Sequence, residues 1–155
     1  MGIIHIFAEN QLIMKKILLL AIAFVAALSI SSCTKDDTHI TNTLNYDGKT
    51  YKVDFQAYVN PDNTFDSDIH FLEDSALEEA WGMMWAVGKI GTFTLPAAES
   101  DFILTKNTYP DYSVDFKSGT AKSWVDDNNK VCLVVDGVTT DNKKLKLSVR
   151  SATNN

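Results

Sequence analysis

Few side chains in this sequence are of the types that perform catalysis or bind transition metals. The three histidines, His5, His39 and His70, lie in different segments and show no His-x-x-x-His spacing. The two cysteines, Cys33 and Cys132, form no Cys-x-x-Cys pair, and no Gly-x-Ser-x-Gly elbow occurs. These motifs are typical of zinc sites and of α/β-hydrolases, whereas a Ser/His/Asp arrangement assembled in space requires no such spacing and has no motif in its support here. The sequence therefore predicts a protein that is not an enzyme and carries no cofactor or metal.

One loop has oxygen ligands of the kind that calcium prefers. Residues 61–68 include Asp62, Asn63, Asp66 and Asp68. The spacing departs from the EF-hand pattern, because the sixth position is not glycine and no glutamate closes the loop. We interpret the segment as a solvated loop without a metal.

Three tryptophans are the remaining chemical lead, because indole rings stack on sugars and on partner side chains. Trp81 and Trp85 lie in an apolar stretch and are interpreted chiefly as core residues. Trp124 stands among Lys122 and Asp126 and is a candidate stacking platform. The alternative is a cross-strand pair that stiffens a hairpin, worth up to about 1 kcal/mol. All three tryptophans are candidates for ligand binding.

The N-terminal region is typical of a secretory signal peptide. Lys15 and Lys16 precede an unbroken apolar run of 12 residues, 17–28, followed by small residues. A stable membrane span needs about 20 apolar residues, so this run is too short to be one. Glu9 and other polar groups lie upstream of the basic pair, and Met14 is a more ordinary start.

Residues 30–33, Ile-Ser-Ser-Cys, resemble the lipobox of bacterial lipoproteins. The resemblance implies that the Cys33 thiol receives a diacylglyceryl group and that its freed amine is acylated, as with palmitate. Two or three acyl chains, at about 0.8 kcal/mol per buried methylene, hold a protein durably on a membrane. The alternative for Cys33 is a buried or disulfide-bonded cysteine.

Lys35, Asp36 and Asp37 follow the cysteine. They resemble the surface-export signal of Bacteroidota lipoproteins, which implies an outer-membrane protein that faces outward. The alternatives are a solvated spacer and an anchor that faces the periplasm. The expected organisation is an artefactual start or extension at 1–13, a signal peptide at 14–32, a lipidated tether at 33–40 and one domain at 41–153.

The charge of the chain limits its partners. The net charge is −6, and it becomes −7 without residues 1–32, which carry two lysines and one glutamate. This charge disfavours nucleic acid as a partner, because its phosphates require a basic patch. With Cys33 lipidated, Cys132 has no disulfide partner within the domain, and we interpret it as a small core residue.

Alternating apolar and polar residues predict a domain built of strands. Asp47-Gly48 lies between two alternating segments within 39–59 and predicts a hairpin. Further strands are expected in 67–74, at 91–95 and at 101–106. The C-terminal third predicts a three-stranded antiparallel meander, with turns at 128–129 and 141–142.

Residues 74–88 fit two periodicities. Ser75 precedes Glu78 by three residues, as in a capping box, and we expect a helical turn over 76–80. A strand is expected from Trp81 to Val87, where apolar residues also alternate. The predicted fold is all-β, an antiparallel β-sandwich with a small β-barrel as the alternative, including one short helix near residues 75–80.

Residues 46–51, Tyr-Asp-Gly-Lys-Thr-Tyr, and 136–141, Asp-Gly-Val-Thr-Thr-Asp, resemble strand pairs of small single-domain Bacteroidota lipoproteins. That resemblance implies a β-sandwich and a surface address, but no activity. The expected function is a surface-anchored, non-catalytic binding or adhesion module for a neutral glycan or a protein. The alternatives are a structural or envelope-assembly lipoprotein without a ligand and a small-molecule carrier.

Overall fold

The computed structural model describes residues 39–110 and 112–152. This part of the chain is all-β, as predicted, with a single short helix among the described residues. The elements are β1 (Thr43–Tyr46), β2 (Lys49–Val59), β3 (Thr64–Phe71), α1 (Ala76–Trp81), β4 (Met84–Lys89), β5 (Gly91–Leu95), β6 (Phe102–Lys106), β7 (Phe116–Val125), β8 (Val131–Thr139) and β9 (Lys144–Arg150). In residues 39–110 and 112–152, no helix is long and apolar enough to cross a bilayer.

The strands form one antiparallel sheet in the order β5-β7-β8-β9-β1-β2-β3-β4-β6. The sheet curls into a nearly closed barrel, so the barrel that the sequence left as the alternative to a sandwich describes it better. The segment before β7 lies along the outer edge of β6, where Val114 N–H donates to Leu104 O at 3.0 Å. This contact narrows the gap between the two ends of the sheet.

The predicted hairpin and meander are present. Asp47 and Gly48 both have positive φ, 50° and 81°, which is the backbone geometry that a two-residue β1–β2 turn requires. Strands β7, β8 and β9 pair in sequence. Asn129 and Asn142 adopt positive φ in the two turns between them. Asparagine tolerates this conformation better than most residues.

The helix–strand boundary differs from the sequence prediction. Ser75 caps α1 by accepting a 3.0 Å hydrogen bond from the Glu78 N–H, as the capping pattern indicated. The prediction that Trp81 begins a strand was wrong. Trp81 is the last residue of α1 and is buried on the same helix face as Leu77. Gly82, with φ 61°, ends the helix and turns the chain toward β4.

Large apolar side chains fill the interior of the barrel. The fully buried ones are Phe55, Phe65, Leu44, Ile69, Met84, Leu133, Leu145, Leu147, Val53, Val131, Val135 and Val149. Burying an apolar side chain stabilises a fold by about 1.5–3 kcal/mol, so this cluster holds the domain together.

Cys132 is buried, as predicted, but it lies outside the interior cluster. Its neighbours on β8, Val131 and Leu133, point inward, so the Cys132 side chain lies on the outer face of the sheet. Trp124 of β7 and Arg150 of β9 are its register partners on either side. Cys132 is therefore covered by neighbouring side chains and not by the core.

Strands β7 and β8 approach closely at two glycines. Gly119 is paired with Gly137 in the register, next to an irregularity between Phe116 and Ser118. Gly119 has φ 143°, and a Cβ at this position would overlap the backbone of β8. Glycine is required here by both the backbone conformation and the lack of space.

Candidate functional site

The residues predicted to matter for anchoring lie outside the part of the chain that the structure describes. These are Cys33 and the export residues Lys35, Asp36 and Asp37. The three candidate tryptophans are all described, and they lie at three separate places. Trp81 ends α1, Trp85 is on the outer face of β4 and Trp124 is on the outer face of β7. They do not form one binding site.

Trp124 is half-buried and makes two contacts along the outer face of the barrel. The Lys122 ammonium lies 5.3 Å from the centre of its ring, within cation–π range. Cys132 is its direct cross-strand partner. These contacts favour the stiffening role that was the alternative to a stacking platform.

The Trp85 side chain points away from the core of the barrel. Met84 and Ala86 point into the barrel, so Trp85 and Val87 point out. Trp85 is half-buried between its register partners Asp68 and Thr105. The interpretation of Trp85 as a core residue therefore does not match its place in the sheet.

The interpretation of residues 61–68 as a loop was wrong for its second half, because β3 begins at Thr64 and places Asp66 and Asp68 on a strand. Asp62 and Asp66 make local hydrogen bonds. Asp62 accepts hydrogen bonds from the backbone N–H and the hydroxyl of Thr64, at 3.1 and 2.6 Å. The hydroxyl bond, the larger cause, helps to lower the pKa of Asp62. Asp66 accepts a 2.9 Å hydrogen bond from the amide of Asn60. No cluster of three metal-ligating side chains occurs among residues 39–110 and 112–152.

A polar pocket of about 270 Å³ lies at the end of the barrel that carries α1. The β1–β2 and β8–β9 turns meet at this end, where Asp47 N–H donates to Lys144 O at 2.9 Å. Strands, turns, the helix and the β6–β7 segment all contribute to the pocket. Its lining residues are Tyr46, Trp81, Lys106, Ser113, Val114, Asp115, Thr139, Thr140 and Asp141. We call it the end pocket.

Both carboxylate oxygens of Asp141 accept a hydrogen bond within the end pocket. Its Oδ1 accepts a 2.5 Å hydrogen bond from the Thr139 hydroxyl, and its Oδ2 accepts one of 3.2 Å from the Tyr46 hydroxyl. The hydrogen bond from Thr139, and after it the one from Tyr46, lowers the pKa of the Asp141 carboxyl. Asp141 is therefore an ionised, oriented hydrogen-bond acceptor at neutral pH.

Aromatic rings form one wall of the end pocket. The rings of Tyr46 and Trp81 are 4.6 Å apart between centroids and tilted by 59°. Burial, followed by the negative charge of Asp141, raises the pKa of Tyr46 to about 12. The Lys106 ammonium lies 5.7 Å from the centre of the Trp81 ring. The wall thus combines apolar surface with a positive charge.

An ion pair braces the turns beside the end pocket. The Lys143 ammonium of the β8–β9 turn contacts the Asp47 carboxylate of the β1–β2 turn. The hydrogen bond to Asp47 and its negative charge raise the pKa of Lys143. Both side chains are about half exposed, so the pair contributes little to stability. Its effect is to hold the two turns in one arrangement around Tyr46.

Sequence reasoning found Trp81 but missed Tyr46, Lys106 and Asp141 as members of one site. They come from three segments that are distant in sequence and that only the folded sheet brings together. The sequence does contain one signal for this site, the polar residues in the turns of the β1–β2 and β8–β9 hairpins. No protein-family model, curated protein or solved structure matches this chain.

Proposed function

We propose that this protein is a surface-anchored, non-catalytic binding module whose end pocket binds a sugar unit of a neutral glycan. The observation that carries the proposal is the end pocket itself. It places an oriented carboxylate, Asp141, beside the aromatic pair of Tyr46 and Trp81. Sugars present both hydroxyl groups and apolar C–H faces, and this combination offers a partner to each.

The hydrogen-bonding capacity of the pocket fits a ligand rich in hydroxyl groups. An ionised carboxylate has about four acceptor positions. The hydroxyls of Thr139 and Tyr46 occupy one position on each oxygen of Asp141, and the backbone N–H groups of Asp141 and Lys143 also hydrogen-bond to this carboxylate, so a ligand hydroxyl would share the acceptor oxygens with these donors. The hydroxyls of Ser113 and Thr140, which also line the pocket, both donate and accept.

Charge and size narrow the ligand class. The pocket lining carries two carboxylates, Asp115 and Asp141, against one ammonium group, Lys106. This balance disfavours anionic sugars. A volume of about 270 Å³ is at the small end of ligand sites. These features favour one neutral sugar ring.

The state of Asp141 supports a binding role over catalysis. Glycosidases keep one carboxyl group protonated through a raised pKa, so that it donates a proton to the leaving group. The pKa of Asp141 is lowered instead. Asp115, the other carboxylate of the pocket, is exposed. Asp141 is therefore suited to accept hydrogen bonds and not to donate a proton.

A glycan array probed with the full chain tests the ligand class, followed by calorimetry with the best neutral oligosaccharide. Asp141→Asn removes a charged acceptor, and hydrogen bonds to charged groups are worth about 1.5–3 kcal/mol, so we expect affinity to fall about tenfold or more. Asp62→Asn is the matched control. Asp62 is also an exposed aspartate that accepts from a threonine hydroxyl, at 2.6 Å, but it lies in the β2–β3 turn. Failure of every neutral glycan to bind, or equal losses in both variants, would refute the proposal.

We also propose that Cys33 is lipidated and that Lys35, Asp36 and Asp37 direct the protein to the cell surface. Cys33→Ser is expected to release the protein from the membrane fraction while the domain still folds. Alanine at residues 35–37 is expected to keep the protein membrane-bound but protected when intact cells are treated with protease. If the triple-alanine form is cleaved as readily as the wild type, these residues are only a spacer.

A further inference from the structure

The outer face of β2, β3, β4 and β6 carries a mixed apolar and acidic surface that the end pocket does not use. The register aligns Tyr58, Asp66, Val87 and Ile103 in one row across the four strands. The next row is Gln56, Asp68, Trp85 and Thr105. Residues in these rows alternate with core residues along each strand, so they point outward. We call this surface, defined by Tyr58, Asp66, Asp68, Trp85, Val87 and Ile103, the acidic face.

Apolar side chains on the acidic face are unusually accessible for strand positions. Tyr58 is 57% exposed and Val87 is 42% exposed. Ile103 is the direct cross-strand partner of Val87, and Trp85 is two residues before Val87 on the same side of β4. Ile103 and Trp85 are half-buried. Adjacent accessible apolar groups with a polar border are typical of protein contact surfaces.

The two rows carry acidic charges only, and Lys89, the next outward residue on β4, is paired with Asp101 at 2.6 Å. Asp66 separates Tyr58 from Val87, Asp68 lies next to Trp85, and Asp54 borders them on β2. Neither of the two described rows contains a lysine or arginine. The amides of Asn60 and Gln56 hold Asp66 and Asp54 by hydrogen bonds of 2.9 and 3.0 Å. The carboxylates are thereby held in place without being neutralised by a positive charge.

We propose that the acidic face is the docking surface for a basic protein partner, one that presents arginine or lysine side chains around an apolar contact. A guanidinium group stacks on the Trp85 or Tyr58 ring and pairs with Asp68 or Asp66 at the same time. Tryptophan and tyrosine are also the residues that contribute most to protein interfaces. Charge complementarity and the two aromatic rings together select this partner chemistry.

A second copy of this chain is a poorer occupant. The outer face of β7 and β9 does carry cations, and three of them, Lys122, Lys146 and Arg150, already make contacts within the chain. Arg150 pairs with Asp126 at 2.5 Å and Lys146 with Asp136 at 3.9 Å. Lys122 lies over the Trp124 ring. A second copy would have to break these contacts to meet the acidic face.

The test uses the ¹⁵N-labelled full chain in zwitterionic detergent and a synthetic peptide that alternates arginine and leucine. We expect chemical-shift changes concentrated on β2, β3, β4 and β6. Asp68→Lys should weaken binding by about tenfold or more, since the variant faces the peptide with a like charge. Asp68→Asn, which perturbs the sheet less, should weaken it by a smaller factor. Glu99→Lys is the matched control, because it changes the net charge equally at an exposed loop position.

The outcomes separate this proposal from its rivals and from the end pocket. Asp141→Asn should leave peptide binding unchanged. Equal weakening by Glu99→Lys and Asp68→Lys would show a general charge effect and overturn the proposal. Shift changes on another surface, or none at all, would also overturn it. The proposal also fails if a neutral oligosaccharide moves these resonances while the peptide does not, or if the free protein self-associates through them.

Discussion

Replacing each tryptophan with alanine should separate two structural roles that composition alone cannot distinguish, a buried one and an outer-face one. Trp81 is 8% exposed and packs against Tyr46 at 4.6 Å between ring centroids. Removing a buried tryptophan leaves a cavity and costs about 3–5 kcal/mol of the free energy of unfolding. Trp85 and Trp124 are half-buried on outer faces, where the loss of cross-strand contacts costs about 1 kcal/mol each. Because the free energy of unfolding of small domains is about 5–15 kcal/mol, only Trp81→Ala should remove a large part of the stability of this domain.

The measurement is urea-induced unfolding followed by far-ultraviolet circular dichroism, which reports the sheet and does not depend on the tryptophan that was removed. The slope of the transition should stay constant if each variant unfolds in one step. Trp81→Phe keeps an aromatic ring in the wall and should recover part of the loss. If Trp85→Ala or Trp124→Ala is as destabilising as Trp81→Ala, the assignment of Trp81 to the packed helix end is wrong.

Three further predictions concern the backbone, a phenol and a thiol. Gly119→Ala should lower the free energy of unfolding, measured with urea, by about 2–4 kcal/mol, because Gly119 has a positive φ and the backbone of β8 leaves no room for a Cβ. Gly48→Ala is the control: Gly48 also has a positive φ, but a Cβ there meets no atom within 4 Å, so the loss should be only about 1–2 kcal/mol. The Tyr46 phenol has a pKa of about 12, so its titration, followed by absorbance at 295 nm, should occur above the ordinary pKa of 10. Because the pKa is raised in the folded state, the stability that Tyr46 contributes is complete below pH 10 and is lost as the pH rises toward 12. Tyr46→Phe should remove this loss of stability between pH 10 and pH 12. If the variant and the wild type lose stability equally over this range, the loss does not come from Tyr46. Burial raises the pKa of Cys132 to about 11, so in a Cys33→Ser background a thiol reagent should label Cys132 only after denaturation, and rapid labelling of the native protein would refute this.

Local chemistry made parts of the fold predictable. Asp47-Gly48 has few alternatives to a tight turn with positive φ, and the turn is there. Leu145, Leu147 and Val149 alternate with polar residues, so the face of β9 followed from its period of two. Ser75 and Glu78 indicated the start of α1 because the cap depends on neighbouring residues alone. Each of these features is decided within a few residues along the chain.

Other parts depended on contacts that no local pattern contains. The segment around Trp81 fits both a helical and a strand period, and Gly82 decided where the helix ended. Cys132 lies in a run that is apolar on both faces, so its periodicity could not show that it points outward. Tyr46 and Asp141 meet across 95 positions of sequence. The end pocket therefore exists only once β1 has paired with β9 and the curled sheet has brought β6 and α1 to the same end.

The pairing of β1 with β9 bears on how the chain reaches its native state. These strands are neighbours in the middle of the sheet, with Leu44 opposite Leu147. The hairpins β1–β2 and β7–β8–β9 form from contacts close in sequence, whereas this ladder must wait for the last strand. Until β9 has been synthesised, β1 therefore remains an open edge that other chains can pair with. A chaperone bound to the nascent chain would therefore prevent most mispairing if it covered the exposed edge of β1. A chain that ends before β9 would leave that edge open permanently.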